Sequence, residues 1–335
     1  MKTDFKSKQT KGTKLSIQSS VPSVKSCRSP ARVSRLVRAV LAIGLATVGL
    51  DASAQQLEPR FYANAPVGMN FLVTAYGYTE GPVATDGASP LQDAQIQTHV
   101  ALLGYARSFG VLGTSAKFDV AEGMAWVSGH ATFAGQPVSR DVSGLTDPQF
   151  RASVNLYGAP ALSLKEFASY KPDLIVGLSL AVTAPLGRYD SGKLLNIGTH
   201  RWSIKPELGI SKAFGPLTLE LAPGVTLFTD NDEFLGQVKK QDPLFSLQGH
   251  AIYSFGRGIW ASVSGTYYAG GTATLGGVNQ RDLQENFRVG ATLSLPLGRR
   301  QSIKLYGSDG VQSRTGSSFW LVGIAFQYRW GGGLK

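Results

Sequence analysis

The stretch Leu174-Ile-Val-Gly-Leu-Ser-Leu-Ala-Val-Thr183 alternates with a period of two. Leu174, Val176, Leu178, Leu180 and Val182 fall on one side, and Gly177, Ser179, Ala181 and Thr183 on the other. Successive side chains of a strand point to opposite faces, so this segment reads as a strand with one oily face and one small or polar face. The pattern repeats on both sides of it. Residues 148–158 set Phe150, Ala152, Val154 and Leu156 against Arg151, Ser153, Asn155 and Tyr157. Residues 201–213 set Trp202, Ile204, Leu208 and Ile210 against Arg201, Ser203, Lys205 and Glu207. Residues 286–297 set Phe287, Val289, Ala291, Leu293 and Leu295 against Arg288, Gly290, Thr292 and Ser294.

Extended outward, the alternation predicts about twelve strands, near 67–79, 94–109, 114–127, 148–158, 173–186, 201–213, 217–229, 243–255, 259–269, 286–297, 301–309 and 317–330. Links after even-numbered strands are mostly short (110–113, 214–216, 256–258, 298–300). Links after odd-numbered strands are mostly long (80–93, 128–147, 187–200, 230–242, 270–285). Residues 159–172 are long for their side and are expected to hold a short helix at Leu164–Ala168, while 310–316 are short for theirs. Short turns alternating with long loops are the signature of a bacterial outer-membrane barrel. The expected fold is therefore all-β: a closed antiparallel transmembrane β-barrel with short periplasmic turns and longer extracellular loops.

Membrane physics supplies the reason. In hydrocarbon every backbone N–H and C=O must be paired internally, and only a helix or a closed barrel achieves this. After residue 54 no apolar run reaches 18 residues, so membrane helices are not expected there. A charge on the lipid side near the midplane costs about 2–4 kcal/mol. Accordingly Arg151, Lys205, Glu207, Arg288, Lys304 and Arg329 all fall on the polar phase. Trp320, Val322, Ile324, Phe326, Tyr328 and Trp330 alternate strictly, as a closing strand read by barrel-insertion machinery does, although Gly331–Lys335 follow as a tail. Tyr253, Phe255, Tyr328 and Trp330 are candidates for a periplasmic aromatic girdle. The competing expectation, a soluble β-sandwich, also has one apolar face but does not require alternating turn lengths.

Composition agrees. Charged residues make up 16% of the chain, below the roughly 25% of soluble domains, and the 40 glycines exceed ordinary usage. The net charge of +11 is concentrated at the start: residues 1–54 hold ten basic and two acidic groups, or +8, leaving +3 for the other 281 residues. A nucleic-acid-binding body is thus not implied. Arg32, Arg35 and Arg38 precede the apolar stretch Ala39–Leu50, followed by Ala52-Ser-Ala54. These are the charged region, apolar core and small-x-small site of a secretory signal. Residues 1–54 are therefore expected to be a removed signal peptide. The region ahead of the apolar core is long, and a start at Val33 would give a signal of ordinary length. The remaining divisions are 55–66, a periplasmic segment or lumenal plug; 67–330, the barrel; and 331–335, the tail. The single cysteine, Cys27, lies in the signal, so the mature chain would carry no thiol chemistry.

Candidate chemistry is sparse. A barrel phospholipase needs a His-x-Ser arrangement, but His99, His130, His200 and His250 are followed two residues on by Ala101, Thr132, Trp202 and Ile252. His99 and His250 are expected to be lumenal polar residues. Asp230-Asn-Asp-Glu233 resembles the start of a calcium loop, but positions six and twelve are Leu235 and Gln241 where Gly and Glu are required. It is expected to be a solvated acidic loop, and neither metal nor cofactor is expected. Arg188-Tyr189-Asp190 either lines a pore mouth or forms a turn. The pore-lining candidates are Arg151, Arg201, Lys205, Glu207, Glu220, His250, Arg288, Lys304 and Arg329, a row that leans positive and would favour anions. No GxxxxGK[ST] motif is present, so coupling to ATP is not expected.

Leu57-Glu-Pro-Arg-Phe-Tyr-Ala-Asn-Ala-Pro-Val-Gly68, Thr183-Ala-Pro-Leu-Gly-Arg-Tyr-Asp190, Arg201-Trp-Ser-Ile-Lys-Pro-Glu207, Phe228-Thr-Asp-Asn-Asp-Glu-Phe234, Gln248-Gly-His250 and Gln327-Tyr-Arg-Trp-Gly-Gly-Gly333 carry a further signal. Together they resemble the family named after the meta-pathway of phenol degradation, over about residues 57–333. The resemblance implies an outer-membrane transporter in a Gram-negative bacterium, with a lean toward aromatic solutes. Expected partners are outer-membrane lipid, small-molecule solutes and the insertion machinery, with no nucleic acid. The alternatives are a structural or adhesive barrel that transports nothing and, further off, an outer-membrane hydrolase.

Overall fold

The computed structural model describes residues 58–84 and 91–334; the expected signal segment, 1–54, lies outside the described residues. The elements are β1 (Met69–Ala84), β2 (Leu91–Val111), β3 (Thr114–Phe133), β4 (Gln136–Leu145), β5 (Gln149–Tyr157), α1 (Leu164–Phe167), β6 (Leu174–Thr183), β7 (Ser203–Phe214), β8 (Leu217–Phe228), β9 (Asn231–Phe234), β10 (Gln237–Gln241), β11 (Leu244–Gly256), β12 (Ile259–Gly270), β13 (Ala273–Leu275), β14 (Val278–Asn279), β15 (Gln284–Pro296), β16 (Gln301–Gln312), β17 (Gly316–Ser317) and β18 (Trp320–Gly331).

Twelve of these positions form one antiparallel wall, in the order β1, β2, β3, β4–β5, β6, β7, β8, β11, β12, β15, β16, β18. The wall closes on itself, because β1 pairs with β2 on one side and with β18 on the other, from Met69 opposite Gly331 to Glu80 opposite Trp320. Closure removes every sheet edge within the bilayer, as hydrocarbon demands. The expected twelve-stranded barrel is therefore the observed fold, and the expected helix at 164–168 is α1.

The long loops are more ordered than the alternation predicts. Residues 128–147 are not a loop: β3 runs on to Phe133, turns at Ala134-Gly135 and returns as β4 along its upper half. Both turn residues have positive φ, 48° and 78°, the geometry of a tight two-residue hairpin. The chain then breaks at Thr146-Asp147-Pro148, and β5 pairs with the lower half of β3. Loops 230–242 and 270–285 likewise hold β9–β10 and β13–β14, which join into a separate four-stranded sheet. Above the lipid both faces of a strand meet water, so nothing there enforces oily alternation.

Burial is inverted relative to a soluble protein. Leu103 and Val263 are 55% and 67% exposed, whereas Thr266 is 0% and Arg288 2% exposed. On β7, Ile204, Leu208 and Ile210 are exposed while Glu207 and Ser211 are buried. At the turn end, Tyr253 and Phe255 are exposed on the outer face, and Tyr328 stacks on Trp330. At the loop end stand Tyr76, Trp126, Tyr267 and Trp320, also exposed. Trp330 lies opposite Asn70 and Trp320 opposite Glu80, ten residues along β1. At about 3.3 Å per residue and about 40° of tilt, that separation is about 25 Å of height, which matches the apolar band of outer-membrane barrels. A sealed cylinder with this oily belt belongs in a bilayer, and the chain is an outer-membrane β-barrel.

One part of the wall is irregular. Pro206 and Pro223 sit within β7 and β8, and the β7–β8 ladder skips Lys205, Pro206, Leu208 and Gly209. Proline has no N–H to give a ladder. A concavity of about 810 Å³ lies here, lined in part by Leu178, Leu180, Pro206, Leu208 and Pro223.

Candidate functional site

The inward row of the wall meets the segment that precedes β1. Arg151 on β5 stands directly opposite Asp119 on β3, with its Nε 3.2 Å from both carboxylate oxygens. Its Nη1 donates to Glu58, and its guanidinium lies 3.8 Å over the Phe61 ring. Lys117 donates to the Phe61 carbonyl oxygen. The Arg60 amide donates to Glu220 Oε2 at 2.8 Å, and Ser211 Oγ donates to Oε1 of the same carboxylate at 3.1 Å. The Arg60 guanidinium and Lys304 Nζ both face the Trp260 ring, at 5.5 and 5.8 Å.

Tyr62 is the best-buried member of this segment, at 4% exposure. Its hydroxyl is 3.1 Å from Ser179 Oγ and donates to Glu207 Oε1 at 3.1 Å. Lys205 holds the other Glu207 oxygen at 2.8 Å. The ring fits a notch left by two glycines: a Cβ on Gly177 or Gly209 would stand 2.7 or 2.0 Å from its atoms. Residues 58–62 therefore touch β3, β5, β6, β7, β8 and β12. The chain then leaves at the turn end, where Val67 N donates to Leu162 O and Gly68 N to Ser108 O.

There, α1 is closed by a capping box in which Ser163 and Glu166 bond reciprocally. Ser163 hydroxyl and amide groups hold the Glu166 carboxyl below the usual carboxylate range. Lys212 does the same for Asp173.

From the loop end a second segment, 184–202, folds against the inside of the wall. Leu195 and Ile197 pack with Ala125, Val127 and Val142. Asp147, at the break between β4 and β5, accepts from Gly187 N at 2.8 Å, Thr199 N at 2.7 Å and Thr199 Oγ1 at 2.7 Å. Arg188 donates to Ser143 O at 2.6 Å, and Asp190 lies 3.9 Å from Arg140. Tyr189 stacks on His200 at 4.7 Å. Arg188-Tyr189-Asp190 thus fastens this loop to β4 and to the β9 hairpin, through Tyr189 and Asn231.

Arg151, Lys205, Glu207 and Glu220 come together around residues 58–62. His250 lies opposite Glu220, with its Nδ1 2.8 Å from Ser264 Oγ. Arg288 is buried nearer the loop end and Lys304 faces Trp260. Arg201 precedes β7 in a turn and not in the strand, buried 4.3 Å from the Phe228 ring. Arg329 departs from the expectation: it is exposed at the rim, its Nε bonded to Arg299 O at 2.8 Å, because β18 has run past the barrel interior there. His99 is outward and not lumenal, its Nδ1 2.6 Å from the Tyr76 hydroxyl. Its neighbours at even positions of β2, Thr98 among them, take the inward phase. His130 is exposed within β3, not on a loop. Asp230 pairs with Lys240 at 2.8 Å, and Asp232 and Glu233 approach His200 at 3.9 and 3.6 Å.

The alternation also carried residues that the candidate row omits. Lys117 and Asp119 alternate with Ala116, Phe118 and Val120 and so share the inward phase. Glu58 and Tyr62 lie outside any strand, and periodicity has no means of placing them.

Residues 77–332 match the family model described as "Putative MetA-pathway of phenol degradation". The chain belongs to this family. The matched stretch runs from within β1 to the end of β18, so the family covers all of the wall but the first half of β1. An outer membrane channel from Pseudomonas putida F1 superposes on this family member with a TM-score of 0.69 at 17% identity, over 82% of this chain and 100% of that one. The transport unit of the autotransporter AIDA-I from Escherichia coli gives a TM-score of 0.47 at 10% identity, over 83% and 95% of the two chains. The first is a likeness of fold. None of the curated proteins matches the sequence.

Proposed function

We propose that this member of the phenol MetA-pathway family is a passive outer-membrane channel for small solutes, aromatic compounds and aromatic acids among them, and that residues 58–66 are its plug. One observation carries the proposal: around residues 58–62 the inside of the closed wall is built mainly from ion pairs and hydroxyls, and the apolar cluster of Leu195, Ile197, Ala125, Val127 and Val142 is confined to the loop end. A barrel that served only as a support would gain more stability from filling its interior with hydrocarbon side chains, since buried ion pairs are weak stabilisers. Twelve strands enclose a narrow bore, between the filled eight-stranded and the open sixteen-stranded types. Inward side chains then decide what passes. Arg151, Lys205, Glu207, Glu220, His250, Arg288 and Lys304 are the proposed lining, and Tyr253, Phe255, Tyr328 and Trp330 the proposed periplasmic girdle. The closing strand Trp320–Gly331 is the proposed signal for insertion machinery, and nothing in the reading calls for an enzymatic role.

The test is permeation of liposomes carrying purified, folded protein. Passage of benzoate and of small neutral alcohols is expected, with faster passage when residues 58–66 are deleted. No passage of any small solute in either form would leave only a structural or adhesive role.

A further inference from the structure

Toward the loop end, the inward face carries a group separate from the one that holds residues 58–62. Arg288 is 2% exposed. Its Nη2 donates to Ser308 Oγ at 3.1 Å and to Phe319 O at 3.0 Å, and the Phe319 ring covers the guanidinium at 3.9 Å. Nε and Nη1 have no partner among the described residues. Neither Glu285 nor Asp309 hydrogen-bonds to the guanidinium. Glu285 is paired with Arg314 at 2.7 Å, and Asp309 is exposed, opposite the outward-facing Val289. A buried guanidinium with open donors and no hydrogen-bonded carboxylate is disfavoured unless an anion completes it.

Two hydroxyls also stand close to it. Gly310 stands directly across the ladder from Arg288. A Cβ on Gly310 would meet Ser318 Oγ at 3.3 Å, Arg288 Nη1 at 3.6 Å and Ser313 Oγ at 3.6 Å. A guanidinium nitrogen and two hydroxyls thus lie close together over the bare backbone of Gly310. Ser313, Ser318 and Phe319 are only half-buried, so they lie near the surface of the loop end.

We propose that Arg288, Ser313, Ser318 and the bare backbone of Gly310 form a binding site for the carboxylate of a small organic acid, occupied before the solute reaches residues 58–62. One cation answers one negative charge, so a monocarboxylate fits and a dianion would bring a charge that nothing here balances. Phe319, half-buried beside the guanidinium, offers aromatic surface for the body of an aromatic acid. The site's purpose rests on the channel reading; its binding does not.

Equilibrium dialysis of radiolabelled benzoate against the full chain folded in detergent tests this, with benzyl alcohol as the uncharged counterpart. Saturable benzoate binding is expected. Arg288→Met should weaken it at least about tenfold, as loss of a charge-assisted hydrogen bond does. Gly310→Val leaves the arginine in place and fills only the cradle; it should weaken binding to a similar degree, as should Ser313→Ala combined with Ser318→Ala. Unchanged gel mobility shifts on boiling would verify that each variant is a folded barrel. Benzoate bound no better than benzyl alcohol, or bound equally by the folded cradle variants, would overturn the site. Because dialysis needs no flux, failed liposome permeation would sink the channel and leave this site standing.

Discussion

Tyr62 and its glycine notch offer the sharpest test of how residues 58–66 are held. Replacing Gly209 with alanine puts a Cβ 2.0 Å from the Tyr62 ring, where ordinary contact needs about 3.4–4 Å. The wall at Gly209 is anchored to β6 through Gly177 opposite it, so the ring must leave. Undocking exposes an aromatic side chain that is 4% exposed when bound and breaks its hydroxyl contacts to Ser179 and Glu207. Removing a buried aromatic costs about 3–5 kcal/mol. At about 1.4 kcal/mol per factor of ten, the population of undocked segment should rise between about one hundred- and four thousand-fold. Amide hydrogen exchange reads this directly at Arg60 and Ala63, whose N–H groups bond to Glu220 and Arg60 O. Their protection should fall by that factor while protection of the wall strands is kept. Tyr62→Ala should give the same loss, and the double variant no more than either alone, since both remove one contact. Unchanged exchange at Arg60 in folded Gly209→Ala, or additive losses in the double variant, would refute the docking account.

Other outcomes follow from the same geometry. Arg151→Ala leaves Glu58 and Asp119 close together without their shared cation, and should release residues 58–62 in the same exchange experiment. A reversed pair, Arg151→Glu with Glu58→Arg, should restore part of the protection. Leu208→Arg puts a charge on the lipid face and should lower barrel stability by about 2–4 kcal/mol, measured by denaturant titration in lipid vesicles. The α1 region should loosen in acid. Glu166 and Asp173 have depressed folded-state pKa values, so their stabilisation is present above the ordinary carboxylate range near about 4 and is lost as pH falls through the lower folded values. Exchange at Phe167, whose N–H bonds to Ser163 O, should rise below that range and stay unchanged in Glu166→Gln, which is already loosened. Arg329→Gln, at the exposed rim, should leave solute preference unaltered in permeation assays.

The wall was legible in the chain because the bilayer writes a period of two into every crossing segment. Leu178 against Ser179, or Ile204 against Lys205, is enough to tell lipid face from inner face, and length and closure follow from the need to pair every peptide group. The same rule ends where the lipid ends. That is why residues 128–147 conceal the β3–β4 hairpin and why Arg329, at the end of β18, leaves the lining; His99, in mid-β2, follows the outward phase of its strand although its ring is polar. Alternation fixes phase but not height, so it could assign Arg151, Lys205 and Glu207 to the interior without saying which of them meet. What only tertiary structure decided is their company. Glu58 and Tyr62 come from an irregular segment with no period to read, and they reach Arg151, Gly209 and Glu207 across 93, 147 and 145 positions of chain. Such contacts arise from shape and charge complementarity inside an already closed cylinder, and no local pattern records them.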